Sequence, residues 1–508
     1  MSLAILASRA LYGFQAQPVR VEVHVGPGLP SFVIVGLPDA GVRESRERVR
    51  SALLSGGYEL PAGRITVNLA PADLPKDSGR FDLAIALGVL LASGQAQVPG
   101  CPGKGVDAVV LDTVLVGELS LTGAINPVRG ALLLAMSVAQ CARDGALIMP
   151  EESAAIAAQV PGVRVLSAAT LQEVVDHVAG RGSLPQAQAA EAPAPREPPP
   201  CLSDVLGQPL GRRALEVAAA GGHSLLMCGP PGVGKSMLAH RLAGLLPPLQ
   251  PLQRLEVAAL HGLAGRDVAP TATPPFRRPH HTASAAALIG GGAQPRPGEI
   301  SLAHHGVLFL DEIPEFHRPV LEALREPFET GSVSIARARR SCTFPARFQL
   351  VAAMNPCPCG WAGHPRRPCS CAPARVRQYR QRLSGPMLDR IDLHVWLASP
   401  TESWTDLTPG EASAPVRARV GACRARQLRR QGCANAQLAG QALLLHAPLD
   451  VAAAKLLRDA VERWAWSGRA VHRIQRVART LADMAGCGDV RAEHVAEALQ
   501  FRPAWEEA

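Results

Sequence analysis

No apolar run in these 508 residues approaches the roughly 18 that a membrane-spanning helix needs, which excludes a helical membrane protein. The opening stretch MSLAILASRALYG has no basic segment ahead of its brief apolar run, so no secretory leader is read there and a cytoplasmic protein is expected. Lysine is nearly absent: only Lys76, Lys104, Lys235 and Lys455 stand among 52 basic residues. Positive charge is otherwise written as arginine, and of the four lysines Lys235 lies in a phosphate-binding motif. A disulfide framework is missing too. Eight of the twelve cysteines (101, 141, 201, 228, 342, 423, 433, 487) are scattered singly, most among Ala, Leu and Val, where a reduced thiol is a small apolar residue.

What is present is unevenly distributed. Residues 1–180 carry 13 basic against 16 acidic side chains, whereas residues 201–508 carry 37 against 25, so an anionic partner is expected on the second half. Between them RGSLPQAQAAEAPAPREPPP (181–200) has almost no large apolar residue and reads as an extended linker. The expected organisation is a domain over 1–180, the linker 181–200, a core over 201–400 with an insert at 355–372, and a helical domain over 401–508. No internal repeat is visible.

In the first domain VRVEVHV (19–25) alternates with period two, and SFVIVGLP and RITVNLAP are short β-rich runs ended by turn residues, so all three are expected strands. FDLAIALGVLLASG (81–94) has the length and composition of a helix, and VLVGELSLTGAINPV resembles a hairpin leading into the helix RGALLLAMSVAQCA. The segments PADLPKDSGRFDLAIALGVL and GELSLTGAINPVRGALLLA resemble the two core segments of the Lon-protease-type fold. Laid on that pattern, the nucleophilic Ser position falls on Arg80 and the activating Lys position on Leu132, so the resemblance implies a non-proteolytic α/β domain. Ser78 close by reads as a turn residue.

After the linker, SLLMCG is a short buried strand, GPPGVGKS matches the phosphate-loop pattern, and SMLAHRLAGLL continues as a helix. Gly229, Pro230, Pro231, Gly232, Val233, Gly234, Lys235 and Ser236 are therefore expected to bind ATP. Lys235 would reach the β- and γ-phosphates and Ser236 would hold Mg²⁺. Downstream, GVLFLDEIPEF is an apolar strand ending in two acids; Asp311 is expected on Mg²⁺ and Glu312 on the attacking water. FQLVAAMNP is a further strand with Asn355 at its tip, placed to sense the γ-phosphate. Arg390 in GPMLDRIDLHV is read as a finger reaching a neighbouring subunit's nucleotide, and Arg469 as a contact to phosphate in its own subunit, with Arg473 the competing choice.

Phosphate loop, acidic strand, sensor Asn, finger Arg and an α-helical lid form, in that order, the plan of an AAA+ ATPase. The stretches GGHSLLMCGPPGVGKSMLA, PRPGEISLAHHGVLFLDEIPEF, AAMNPCPCG and LSGPMLDRIDLHV resemble the ComM/YifB family of Mg-chelatase-related ATPases, and the resemblance covers nearly the whole chain. It implies a homo-oligomeric ring, a hexamer, that hydrolyses ATP and promotes branch migration of DNA, single-stranded and branched, during recombination and natural transformation. Where the family has an acid in HHTASAAALIGGG this chain has Ala285. The adjacent His280 and His281 read as loop or surface histidines rather than metal ligands.

The remaining four thiols, Cys357, Cys359, Cys369 and Cys371, form C-x-C-x9-C-x-C, the ligand set of a closed tetrahedral and therefore structural Zn²⁺ site. It leads into PARVRQYRQRLSGP, where Arg375, Arg377, Arg380 and Arg382 with Tyr379 give a phosphate-contacting pattern and one stacking group. GSVSIARARRSCTF resembles a pore hairpin, with Arg337, Arg339 and Arg340 near its tip. Three activities are in play: a DNA-dependent motor first, a protein-remodelling ATPase of the chelatase type second, and an ATP-dependent protease, which Arg80 and Leu132 disfavour.

Overall fold

Period-two burial splits the long strands of the amino-terminal sheet between two cores: Leu6, Val21 and Val23 face one, while Ala7 and Leu11 pack against the other. The computed structural model describes residues 2–76, 78–99, 109–141, 145–189, 199–266, 269–292, 295–337, 340–399 and 408–502. They divide into two compact units, Met1–Ala194 with Arg254–Pro270 and Ala338–Thr343, and the remainder of the chain. The first unit therefore takes in segments from beyond the linker that its sequence did not announce.

Its sheet has seven strands in the order Ser31–Val35, Arg64–Ala70, Gln15–Gly26, Ser2–Tyr12, Val109–Leu115, Ala146–Pro150, Arg164–Ala168. The expected strands at 19–25, 31–35 and 64–70 are all present. Helix Asp82–Ser93 is buried along its length except at Ser93 and fills one core with Ala40–Ser55; Ala131–Cys141 fills the other. Glu118–Leu119 pairs antiparallel with Ile125–Asn126 as the expected hairpin. Ser2–Tyr12 was not expected as a strand. It is held by an eleven-residue antiparallel register with Gln15–Gly26, a partner that local pattern does not reveal. The start of the linker also behaves differently: Ser167 donates to the Pro185 carbonyl and Ala187 to that of Val165, so 185–187 cover the edge of the sheet. Residues 190–198 of the linker, Lys104 and Arg339 lie outside the described residues.

The second unit is built on five parallel strands in the order Phe276–Arg277, Val307–Leu310, Gln349–Met354, Leu225–Cys228, Leu393–Trp396. Buried on both faces, the central strands read as continuous apolar runs, as parallel strands do. Helices Ser413–Gln431, Gly440–His446, Val451–Trp464, Gly468–Ala485 and Ala492–Gln500 follow. Their Val420, Leu457, Val477 and Leu481 share one core with Ala214 and Ala218 of helix Pro209–Gly221, so this is a parallel α/β core with carboxy-terminal helices packed on it. Ser332–Arg337 and Arg340–Pro345 pair as a two-stranded ribbon apart from both sheets, its second strand falling mostly in the segment Ala338–Thr343 of the first unit.

Candidate active site

Adjacent parallel strands end at the same edge of a sheet, and in open α/β sheets ligands bind beyond the carboxyl ends. Leu225–Cys228, Val307–Leu310 and Gln349–Met354 lie side by side and discharge there the phosphate loop, Asp311–Glu312 and Asn355 respectively. Gly232 and Gly234 hold φ of 83° and 94°, left-handed values that glycine adopts without strain, and Gly234 caps the helix Lys235–Leu245. The Lys235 ammonium donates to the carbonyls of Gly229 (2.6 Å) and Pro230 (2.8 Å) and to Asn355 Oδ1 (3.0 Å). Burial pushes its pKa below the ordinary lysine value. The Ser236 hydroxyl donates to Asp311 Oδ2 at 2.9 Å. Glu312 has φ of 51°, an unusual conformation for a side chain of its size, and its amide donates to Asp311 Oδ1 at 3.2 Å. Lys235, Ser236, Asp311, Glu312 and Asn355 thus converge from three segments separated by up to 120 residues in sequence.

Ser236 Oγ and Asp311 Oδ2 are hard oxygen donors within one coordination sphere, a pair that fits Mg²⁺ alongside phosphate oxygens and water. Sequence reasoning missed Arg278 and read His281 as a loop or surface histidine; both are neighbours of the acids. Arg278 donates to Asp311 Oδ2 at 2.7 Å, and His281 Nδ1 lies 3.9 Å from Glu312 Oε2. Arg278 sits in no motif. The placement of both follows from the register of Phe276–Arg277 on Val307–Leu308, which a local reading does not see.

Arg390 and Arg469 are elsewhere. Arg390 precedes the parallel strand Leu393–Trp396 and its carbonyl accepts from Ser224 Oγ at 3.3 Å, just before Leu225–Cys228 begins; both observations put it at the opposite edge of the sheet from the phosphate loop. At ~3.3 Å per residue the strand alone separates those edges by more than ~10 Å. Arg390 pairs with Glu329, and Arg469 lies 4.0 Å from that same carboxylate. Arg469, expected to touch phosphate in its own subunit, thus approaches the same Glu329 carboxylate as Arg390. Arg473 is bound to Asp392 at 2.5 Å and is 17 % exposed, against 65 % for Arg469. Burial opposes ionisation of Asp392, but nearby His223, with Nδ1 3.6 Å from Oδ2, and the charge of Arg473 hold its carboxyl well below the usual range, so Arg473 is a structural partner.

The thiols of Cys357, Cys359 and Cys369 lie 3.3 to 3.6 Å apart, and all four sulfurs including Cys371 fall within 4.8 Å of one another. Four sulfurs about 2.3 Å from one centre have edges of about 3.8 Å, so the cluster fits tetrahedral Zn²⁺. The amides of Ala362 and Cys371 donate to Cys357 Sγ and Cys369 Sγ; the Trp361 amide pulls the Cys359 thiol down to about 5, which favours thiolate there, while burial and the neighbouring sulfurs push Cys369 up to about 12. Gly360, with φ of 84°, abuts the phosphate loop: a Cβ there would stand 2.7 Å from Pro231 Cδ. Tyr379 corrects the expectation of a stacking group. It is buried, with its phenolic oxygen against the Asn355 backbone, so it braces the sensor strand. Arg380 donates to the Pro356 carbonyl and Arg382 to Glu315, while Arg366, Arg367, Arg375 and Arg377 are exposed around the cysteines. Arg337 and Arg340 fall in the two-stranded ribbon.

In the first unit, the two positions laid on the protease pattern are both buried: Arg80 in the turn Gly79–Phe81 and Leu132 in its helix. Ser78 holds φ of 65° in that turn and accepts from Arg80.

Comparison with known proteins agrees with this geometry. The family described as magnesium chelatase, subunit ChlI, matches residues 201–404; subunit ChlI of Mg-chelatase matches 21–153, and the ChlI C-terminal family 410–502. The protein YifB of Salmonella typhimurium is 45 % identical over 507 residues, covering 99 % of this chain and 97 % of that protein. Competence protein ComM of Haemophilus influenzae is 44 % identical over 512 residues, covering 99 % and 98 %. Lon protease 2 of Bacillus subtilis is 30 % identical over 134 residues, covering 26 % of this chain and 22 % of that enzyme.

Proposed function

The chain belongs to the family of Mg-chelatase-related AAA+ ATPases that includes YifB and ComM, and from that premise we propose that it is an ATP-driven DNA motor promoting branch migration during recombination and natural transformation. The observation that carries the ATPase half is the bonded set Lys235–Asn355 and Ser236–Asp311 at one sheet edge. Lys235 neutralises the β- and γ-phosphates, Glu312 takes the proton side of the attacking water, and Asn355 reports the state of the terminal phosphate to its strand. Ser236 and Asp311 would hold Mg²⁺, which would supply charge neutralisation for the phosphates.

Arg390, at the far edge of the sheet, acts on a neighbouring subunit's nucleotide in a homo-oligomeric ring, a hexamer, and Arg469 belongs to the same patch. Cys357, Cys359, Cys369 and Cys371 would hold a structural Zn²⁺, and the segment they tie together abuts the phosphate loop at Pro231 and runs from Asn355 to the exposed arginines at 366, 367, 375 and 377. These arginines, together with the basic excess of residues 201–508 and the competence protein among its relatives, favour single-stranded and branched DNA as partner. The first unit, with Arg80 and Leu132 on the protease positions, is non-proteolytic.

A second reading is favoured by the family matches themselves: a remodelling ATPase acting on a partner protein, as a chelatase subunit does. Steady-state ATP turnover separates the two. The motor is expected to speed up with forked or four-way DNA and to lose that stimulation steeply as salt rises. Turnover indifferent to every DNA would leave the remodelling reading.

A further inference from the structure

Asp311 Oδ2 accepts two hydrogen bonds, from the Ser236 hydroxyl at 2.9 Å and from the Arg278 guanidinium at 2.7 Å. The position of Arg278 is built in by the fold. Phe276–Arg277 pairs in parallel with Val307–Leu308, two residues short of the strand's end, and Arg277 forks onto Glu299 with bonds of 2.6 and 2.7 Å. The next residue is thereby carried along the strand toward Asp311, and its guanidinium lies over the Phe309 ring, 5.6 Å from the centroid. The backbone is pinned, but the side chain is 48 % exposed and has room to turn.

A divalent cation bound between Ser236 and Asp311 would draw on the carboxylate that now accepts from Arg278. Two cations on one carboxylate oxygen repel, so the guanidinium and the metal are alternative partners for Asp311. We infer that Arg278 is a positioning residue that acts as the resident counter-ion of Asp311, excludes free divalent cations from the site, and yields only when metal arrives with the nucleotide. The phosphates then add the negative charge that outweighs the repulsion and give the displaced guanidinium a new anionic neighbour. Loading of the metal becomes conditional on loading of the nucleotide. This rests on the assignment of Ser236 and Asp311 as metal-facing residues, but on nothing concerning DNA.

The test uses Mn²⁺ alone, without nucleotide or DNA, on the full-length protein with its cysteine cluster supplied with zinc; Mn²⁺ prefers oxygen donors and does not compete for thiolates. Free Mn²⁺ is read by electron paramagnetic resonance. Arg278→Ala is expected to bind Mn²⁺ at least about tenfold more tightly than the wild type, whereas Arg278→Lys, which keeps the charge, stays within about threefold. Adding Asp311→Asn to Arg278→Ala removes the gain, which locates it at this carboxylate. Arg278→Gln, closer in size, repeats the measurement should the alanine variant fold poorly. Affinity for Mn²⁺ unchanged in both neutral variants overturns the inference, as does a gain that survives Asp311→Asn. A protein that ignores DNA yet shows the gain keeps this inference and loses the DNA-motor reading; the reverse result separates them equally.

Discussion

Two loop-to-helix entries, one in each unit, carry similar residues to different ends. At the first, the turn Gly79–Phe81 opens helix Asp82–Ser93, with Lys76 close by in sequence. Asp82 is fully buried and receives Arg48 Nε at 2.6 Å and the Leu119 amide at 3.2 Å, while the Lys76 ammonium donates to the Pro71 carbonyl. At the second, Gly234 opens helix Lys235–Leu245; Lys235 bonds to Asn355 and Ser236 to Asp311, with Glu312 half-exposed beside them. A charge that is wholly enclosed and answered by a cation fixes a fold. Charges gathered at an open sheet edge are available for a ligand, and only the second site has them.

The comparison breaks first at Asp82. Asp82→Asn weakens the bonding of the Arg48 guanidinium and is expected to cost ~1.5–3 kcal/mol of stability, read as a lower denaturant midpoint, while ATP turnover per folded molecule is unchanged. A normal midpoint, or lost turnover in folded protein, would show that the first entry is more than architecture. Cys359→Ser sharpens the second entry. Loosening the cluster that abuts Pro231 is expected to weaken nucleotide affinity by about tenfold, ~1.4 kcal/mol, in a fluorescent-nucleotide titration without DNA. Affinity equal to wild type would uncouple the cysteines from the phosphate loop.

The smallest effect concerns Asp392, buried like Asp82 but at the far edge of the second sheet. Its folded pKa lies below the unfolded value of about 3.9, so its contribution is present above that pH and is lost as pH falls through the folded pKa. The deficit in thermal midpoint of Asp392→Asn relative to wild type, measured at pH 6, is therefore expected to close as pH drops below about 4. A deficit that persists unchanged into acid would mean that the charge of Asp392 contributes nothing.

The nucleotide site was legible where its chemistry is local. A phosphate loop needs its glycines, lysine and serine contiguous, so residues 229–236 declare themselves, and the apolar runs before Asp311 and Asn355 mark strands whose ends carry them. The cysteine cluster was legible for the same reason. What escaped depends on register. Arg278 becomes relevant only because Phe276–Arg277 pairs with Val307–Leu308, and Ser2–Tyr12 is a strand because Gln15–Gly26 returns alongside it. Tyr379 shows the limit from the other side: among arginines its ring suggests stacking, yet packing turns it inward against Asn355. Arg469 and Arg473 were equivalent by spacing until Asp392 claimed one of them.

The most direct measurement is branch migration of a four-way junction by the purified wild type beside Glu312→Gln. Both are expected to bind ATP and assemble, with ATP-dependent movement in the wild type and loss of movement by at least about 100-fold in the variant. Equal movement by the two proteins would remove Glu312 from the mechanism, and a wild type that turns over ATP without moving the junction would contradict the DNA motor.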